Sequence, residues 1–309
     1  MKEQPVLTVE DLSVSFHMYD TGLEQYDLKV ISNLTLDVRP GEIVAIAGSS
    51  GSGKSLLAHA VMGLLPGNAS TSGTIAYKGK VLSQKDKEKL RGKEFALVPQ
   101  SVAYLDPLMT VGTQVTGKKP DQKLLQAQKE IFRRLHLKEG TEKLYPFQLS
   151  GGMARRILVS TAVLSDAQVI LADEPTPGLD LQMALEALKI FRELADKGKA
   201  VVLITHDIDL AFHIADRIAV FYAGTTVEVA DARDFLTGPQ ALRHPYSKAL
   251  WEALPQNGFR PIAGFQPYAK YLPDGCLFGP RCPYKTRKCE TTIPMAEVRG
   301  GYVRCIHAD

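Results

Sequence analysis

With 309 residues, 45% hydrophobic and 23% charged, the chain has a globular balance that excludes disorder on a large scale and allows one large core or two smaller ones. A net charge of +3 and a pI near 8.5 are too weakly basic, without a basic stripe, to point to a nucleic-acid partner. No run approaches the ~18 apolar residues of a membrane span, and the opening MKEQPVLTVEDLSVSF lacks the apolar core of a secretory signal, so the chain is expected to stay in the cytosol and to reach any membrane through another protein.

In chain order, LTVEDLSVSF (7–16) and VISNLTLDV (30–38) alternate like the arms of an antiparallel hairpin, with a loop around 20–25. EIVAIAG (42–48), QVILAD (168–173) and VVLIT (201–205) are apolar without alternation, as strands buried on both faces are. Amphipathic helices are expected over 54–65, 181–198 and 207–219. Buried strands alternating with helices imply an α/β core with a parallel sheet. KDKEKLRGK (85–93) alternates in sign and reads as a solvated helix end. From 101 to about 165 strand signals vanish and DQKLLQAQKEIFRRLHL (121–137) is helical, a helical insertion into that core. The texture changes again near 235–245, which divides the chain into 1–238 and 239–309; no internal repeat is found.

The chemistry concentrates in two places. GSSGSGKS (Gly48, Ser49, Ser50, Gly51, Ser52, Gly53, Lys54, Ser55) follows a strand and opens a helix, the context that makes the phosphate-loop pattern credible. Its glycines let successive N–H groups turn inward, Lys54 reaches the β- and γ-phosphates, and the Ser55 hydroxyl ligates Mg²⁺. About 120 residues on, VILADEP ends a buried strand in Asp173 and Glu174. Asp173 is expected to hold Mg²⁺ through its water shell and Glu174 to polarise a water for in-line attack. Ser150, Gly151 and Gly152 in LSGGM begin a helix and form a second anion site.

The order of P-loop, VPQ (Gln100), LSGGM, LADEP, PGLD (Asp180) and ITHD (His206) resembles the nucleotide-binding domains of ABC ATPases over residues 6 to about 235. The resemblance implies a fold with an antiparallel β subdomain and a helical subdomain, and two such domains sandwiching two ATPs head to tail. It further implies that the signature motif closes on a partner's nucleotide, that Gln100 senses Mg²⁺ and the attacking water, and that His206 contacts the γ-phosphate. Asp180 resembles the aspartate that crosses the dimer interface, and Phe16 matches the adenine-stacking position, with Tyr19 nearby. Met153 stands where most such signatures have glutamine. Together with HPYSKALWEALP (244–255) and GCLFGPRCPY (275–284), it places the resemblance in the oligopeptide, dipeptide and nickel branch of bacterial importer ATPases.

For that branch the implied partners are a second ABC ATPase in a heterodimer, two membrane permease subunits and, indirectly, an extracytoplasmic substrate-binding protein, at the cytoplasmic face of the membrane. The implied cargo is a peptide, nickel or a metal chelate. The alternative is an accessory ATPase of a soluble complex such as carbon–phosphorus lyase. A P-loop kinase is disfavoured by the S-G-G motif and the lack of an acceptor site.

All four cysteines, Cys276, Cys282, Cys289 and Cys305, fall in the last 34 residues. Their spacing lacks the tight C-x2-C pairs of most zinc sites, and a cytosolic chain keeps thiols reduced. From the residues alone, a metal centre that folds an apolar-poor tail, zinc, and free thiols all stay open. The resemblance implies a 4Fe-4S cluster on these four residues, stapling a small C-terminal domain.

Overall fold

The computed structural model describes residues 4–20, 22 and 24–308. Its strands are β1 (Leu7–Tyr19), β2 (Gln25–Val38), β3 (Ile43–Gly48), β4 (Ala69–Tyr77), β5 (Lys80–Val81), β6 (Phe95–Val98), β7 (Val169–Asp173), β8 (Ala200–Ile204), β9 (Arg217–Tyr222), β10 (Thr225–Asp231), β11 (Ala296–Val298) and β12 (Gly301–Val303). The helices are α1 (Lys54–Met62), α2 (Gln84–Leu90), α3 (Val111–Thr116), α4 (Gln122–Arg134), α5 (Gly151–Val163), α6 (Leu181–Asp196), α7 (Ile208–Ile214), α8 (Ala232–Thr237) and α9 (Pro245–Glu252).

Two sheets divide the strands. An antiparallel sheet in the order β2-β1-β4-β5 carries the expected hairpin, and an eight-stranded sheet runs β11-β12-β10-β9-β3-β8-β7-β6. Within the larger sheet β9, β3, β8, β7 and β6 pair in parallel. The unbroken apolar runs are explained by two cores, one on each face. In β3, Ile43, Ala45 and Ala47 point into the core shared with the helical segment and α6. Val44 and Ile46 point into the core under α1 and the antiparallel sheet. The loop expected around 20–25 includes residues 21 and 23, which lie outside the described set.

The helical insertion is present as α3, α4 and α5, and the charged stretch is α2, opened by a Ser83–Asp86 capping box. The three expected helices all end early, at Met62, Asp196 and Ile214, and the last falls furthest short. The expected helix over 207–219 stops at Ile214, because Ala215 turns extended and the chain enters β9, where Arg217 is held by Asp37 and Glu42. Residues 69–81 form β4 and β5, which no expectation covered.

The C-terminal segment does not stand apart. β12 pairs with β10 and so extends the large sheet, while Leu242, Tyr246 and Phe278 belong to the same core as β3 and β8. Arg243, only 3% exposed, binds the fully buried Glu228 of β10 and reaches the carbonyls of Val298 and Arg299.

Candidate functional site

Parallel pairing of β3, β8 and β7 brings their C-terminal ends to one edge, the place where open α/β sheets take ligands. Gly48 ends β3 at φ 158°, and a Cβ there would lie 2.4 Å from the Phe221 carbonyl oxygen, so only glycine passes. Gly53 caps α1 in the left-handed region at φ 89°. Gly51, also left-handed, has open space where a side chain would stand. Between them Ser52 is buried with its hydroxyl unpartnered, and Ser50 is exposed. Lys54 is 7% exposed, and its Nζ donates to the carbonyls of Gly48 and Ser49, each at 2.9 Å. Burial pushes its pKa down, opposed by the charges of Glu174 and Asp173. A poorly solvated cation at a helix N-terminus ringed by N–H groups is a phosphate cradle.

Ser55 Oγ donates to Asp173 Oδ1 at 3.1 Å, across 118 residues of chain. Burial pushes the Asp173 carboxyl up. These two hard oxygen donors at the mouth of the loop fit a Mg²⁺ held together with phosphate oxygens. Glu174 sits at φ 48°, a left-handed conformation that a glutamate adopts at a cost of roughly 1–2 kcal/mol. Its backbone N–H is held by the Ile204 carbonyl, and its side chain is turned to meet two other predicted residues. Gln100 Nε2 donates to its Oε2 at 2.8 Å, and His206 Nδ1 lies 3.6 Å from its Oε1.

The signature residues occupy a separate position. Ser150 caps α5 by accepting from the Met153 N–H at 3.3 Å. Gly151 faces open space, and a Cβ on Gly152 would come within 3.3 Å of the Gly178 carbonyl. Asp180 caps α6 by accepting from Met183 N–H at 3.0 Å. Phe16 pairs with Leu28 and Ala69 and is half-buried against the core beneath α1.

Three residues that contact the site escaped sequence reasoning: Arg155, Gln266 and Tyr246. Arg155 of α5 donates to the backbone carbonyls of Pro99 and Glu174, at 3.2 Å each, and so ties the signature helix to the backbone beside both Gln100 and the Glu174 side chain. Ser49 is bound by Gln266 and lies beside Tyr246, both from the C-terminal segment. The H-P-Y string was visible as a motif, but nothing local in it announces a phosphate-loop contact.

The ABC transporter family matches residues 31–177, and the oligopeptide/dipeptide transporter C-terminal region matches residues 227–289. The dipeptide transport ATP-binding protein DppD of Bacillus subtilis is 35% identical over 318 residues, covering 96% of this chain and 92% of that one. The chain is an ABC ATPase of the oligopeptide/dipeptide transporter family. The oligopeptide transport ATP-binding protein OppD of Escherichia coli is 33% identical, covering 97% of this chain and 92% of its own. Among solved structures, a dimeric ATP-binding cassette in a post-hydrolysis state bound to ADP and Pi superposes with a TM-score of 0.64 at 26% identity, over 74% of this chain and 99% of that one. As a member of this ABC family the chain is an ATP-hydrolysing transporter subunit, with ATP and Mg²⁺ as its substrate and metal. No described helix is long and apolar enough to cross a membrane.

The cysteine expectation needs correction. Cys276, Cys282, Cys289 and Cys305 share one region, near enough for neighbouring thiols to add to the burial that pushes Cys276, Cys282 and Cys305 up. Yet among the described residues no three His, Cys, Asp or Glu side chains are placed to hold a metal ion. Cys289 is instead engaged locally, with Thr286 and with His307 Nε2 at 3.5 Å. The tail also has protein contacts of its own, since Phe278, Ile293 and Val303 are buried and β12 joins the main sheet. Four thiols are the donor type a 4Fe-4S cluster takes, but their placement among the described residues gives that expectation no support.

Proposed function

We propose that this ATPase powers uptake of dipeptides or oligopeptides through a partner permease, with Glu174 as the base for ATP hydrolysis. The observation that carries the chemistry is the placement of Glu174, held between Gln100 and His206 one residue beyond the Asp173–Ser55 pair. ATP would lie with its phosphates in the loop 48–55 and its adenine toward Phe16. Mg²⁺ supplies charge neutralisation on the phosphate oxygens when bound. Ser55 and Asp173 would hold it, and Gln100 would fix the water that Glu174 deprotonates while His206 faces the γ-phosphate.

Ser150, Gly151 and Gly152 form a second helix N-terminus, and none of their described contacts is with the loop 48–55. They suit the phosphates of a second ATPase subunit, with Asp180 beside that junction, so the working unit is a dimer, most simply a heterodimer. The four-Cys segment belongs with residues 239–309 as a C-terminal region docked on the 1–238 ATPase. Two permease subunits and an extracytoplasmic binding protein complete the importer, and the chain sits peripherally at the cytoplasmic face of the membrane. The peptide names of the relatives favour peptides over nickel, metal chelates or a lyase core.

The test is reconstitution of the chain with its neighbouring permease and ATPase subunits in vesicles. ATP-driven accumulation of a labelled dipeptide or oligopeptide, lost in Lys54→Ala, is the expected result. Association with soluble enzyme subunits and no peptide uptake would overturn it.

A further inference from the structure

The C-terminal segment reaches the phosphate loop by two routes that end on one residue. Ser49 Oγ donates to Gln266 Oε1, and Tyr246, 2% exposed, lies near enough to Ser49 for the serine to offset part of the rise that burial imposes on its phenol. Both partners are themselves held by the cysteine-bearing lobe. Arg281, next to Cys282, donates to the carbonyls of Ile262 at 3.0 Å and Ala263 at 2.8 Å, which fixes the strap that carries Gln266. Its Nη1 also donates to the Tyr222 hydroxyl at 3.2 Å. Phe278, 1% exposed, packs against Tyr246 and Tyr222 with ring centroids 5.3 Å away in each case, and those two tyrosines lie 4.5 Å apart. Farther along the strap, Lys270 pairs with Asp20 and lies 4.4 Å over the Tyr26 ring.

We infer that residues 259–282 form a strap that presets the phosphate loop for ATP, with Gln266 and Tyr246 as positioning residues acting through Ser49. The physical ground is preorganisation. The loop's N–H groups bind phosphate only in one backbone arrangement, and any part of that arrangement left unfixed must be ordered by the ligand at the expense of affinity. Ser49 is where the arrangement is fixed from both sides. Its carbonyl takes the Lys54 ammonium, while its hydroxyl is anchored from outside the site. Because Arg281 and Phe278 hold the anchors, the cysteine-bearing lobe and the ATP site are one mechanical unit. This proposal rests on the assignment of the 48–55 loop as the ATP site.

The test measures binding of a fluorescent ATP analogue, and the KM and saturating turnover for ATP, on the full-length chain. Gln266→Ala removes the Ser49 hydrogen bond and Tyr246→Phe the hydroxyl beside Ser49, and each is expected to weaken binding and raise KM by roughly threefold to tenfold, with turnover at saturating ATP changed far less. In a Ser49→Ala background, Gln266→Ala should have no further effect, a non-additivity that general loosening of the fold does not produce. Unchanged or tightened binding in Gln266→Ala, or full additivity with Ser49→Ala, would overturn the proposal. Lys54→Ala separates the two readings: if it binds the analogue as well as the parent chain, the ATP-site assignment falls and takes the strap with it.

Discussion

Gln100 Nε2 and Glu174 Oε2 are 2.8 Å apart although 74 residues separate them in the chain. Gln100 stands just after β6, at the entrance to the helical segment, and Glu174 just after β7. Any shift of the segment that begins at Gln100 would therefore be felt directly at the Glu174 carboxylate. Arg155 supports the same junction from α5 through the Pro99 and Glu174 carbonyls. Replacing Gln100 by Ala should leave ATP binding nearly intact and cut turnover roughly 10- to 100-fold, the cost of a misplaced catalytic group. Steady-state ATPase assays beside nucleotide-binding measurements check this.

Asp173 carries a pH signature. Burial raises its pKa in the folded chain, so between the unfolded and folded values the native state keeps a proton that the unfolded state has lost, and stability falls as pH rises through that window. Without nucleotide and Mg²⁺, Asp173→Asn should therefore raise the melting temperature at pH 7 and lose that advantage below about pH 4, near the unfolded value. Added Mg-ATP should reverse the order, since only the carboxylate helps hold the metal. Thermal unfolding at both pH values, with and without Mg-ATP, reads each part.

His244 gives the opposite slope. It is fully buried, its pKa is pushed down to about 3 by burial, and its Nδ1 accepts from the Tyr246 N–H at the start of α9. The unfolded chain takes up a proton near pH 6.5 that the native chain refuses, so stability is lost as pH falls from about 6.5 toward 3, by up to about 1.4 kcal/mol per unit. His244→Asn keeps a cap-forming side chain but cannot titrate, and should flatten this part of the profile. Denaturant midpoints at pH 7 and pH 5 for both proteins provide the comparison.

Arg243 tests how the tail is held. With its guanidinium bound to buried Glu228, to Asp234 and to the carbonyls of Val298 and Arg299, Arg243→Ala should cost about 3–5 kcal/mol, because Glu228 is left buried and unpaired. Proteolysis should then begin within residues 291–308. An unchanged cleavage pattern would mean that β12 stays docked without this tie.

The phosphate loop and the Asp173–Glu174 pair were readable because their chemistry forces particular residues into short local spacings next to an apolar strand. Gln100 and His206 were readable only through the order of motifs, yet both arrive at Glu174. ASTSGTIAY gave no strand signal because the first half of β4 is largely exposed and pairs along β1. The anchoring of the tail was hidden for a related reason. Its apolar residues are few, so it looked unable to fold without a metal, whereas Phe278, Ile293 and Val303 bury themselves against other parts of the chain. Contacts at long sequence separation, such as Gln266 with Ser49, leave no local trace.

The central claim is that Glu174 is the base for hydrolysis at a site this chain supplies. The most direct measurement is ATP turnover and nucleotide retention by Glu174→Gln in the assembled transporter. The side chain keeps its size and its hydrogen bond to Gln100 but loses the proton acceptor, so turnover should fall at least ~100-fold while unhydrolysed ATP stays bound and the dimer remains closed. Turnover at the parent rate, with ADP rather than ATP recovered from the complex, would contradict the account.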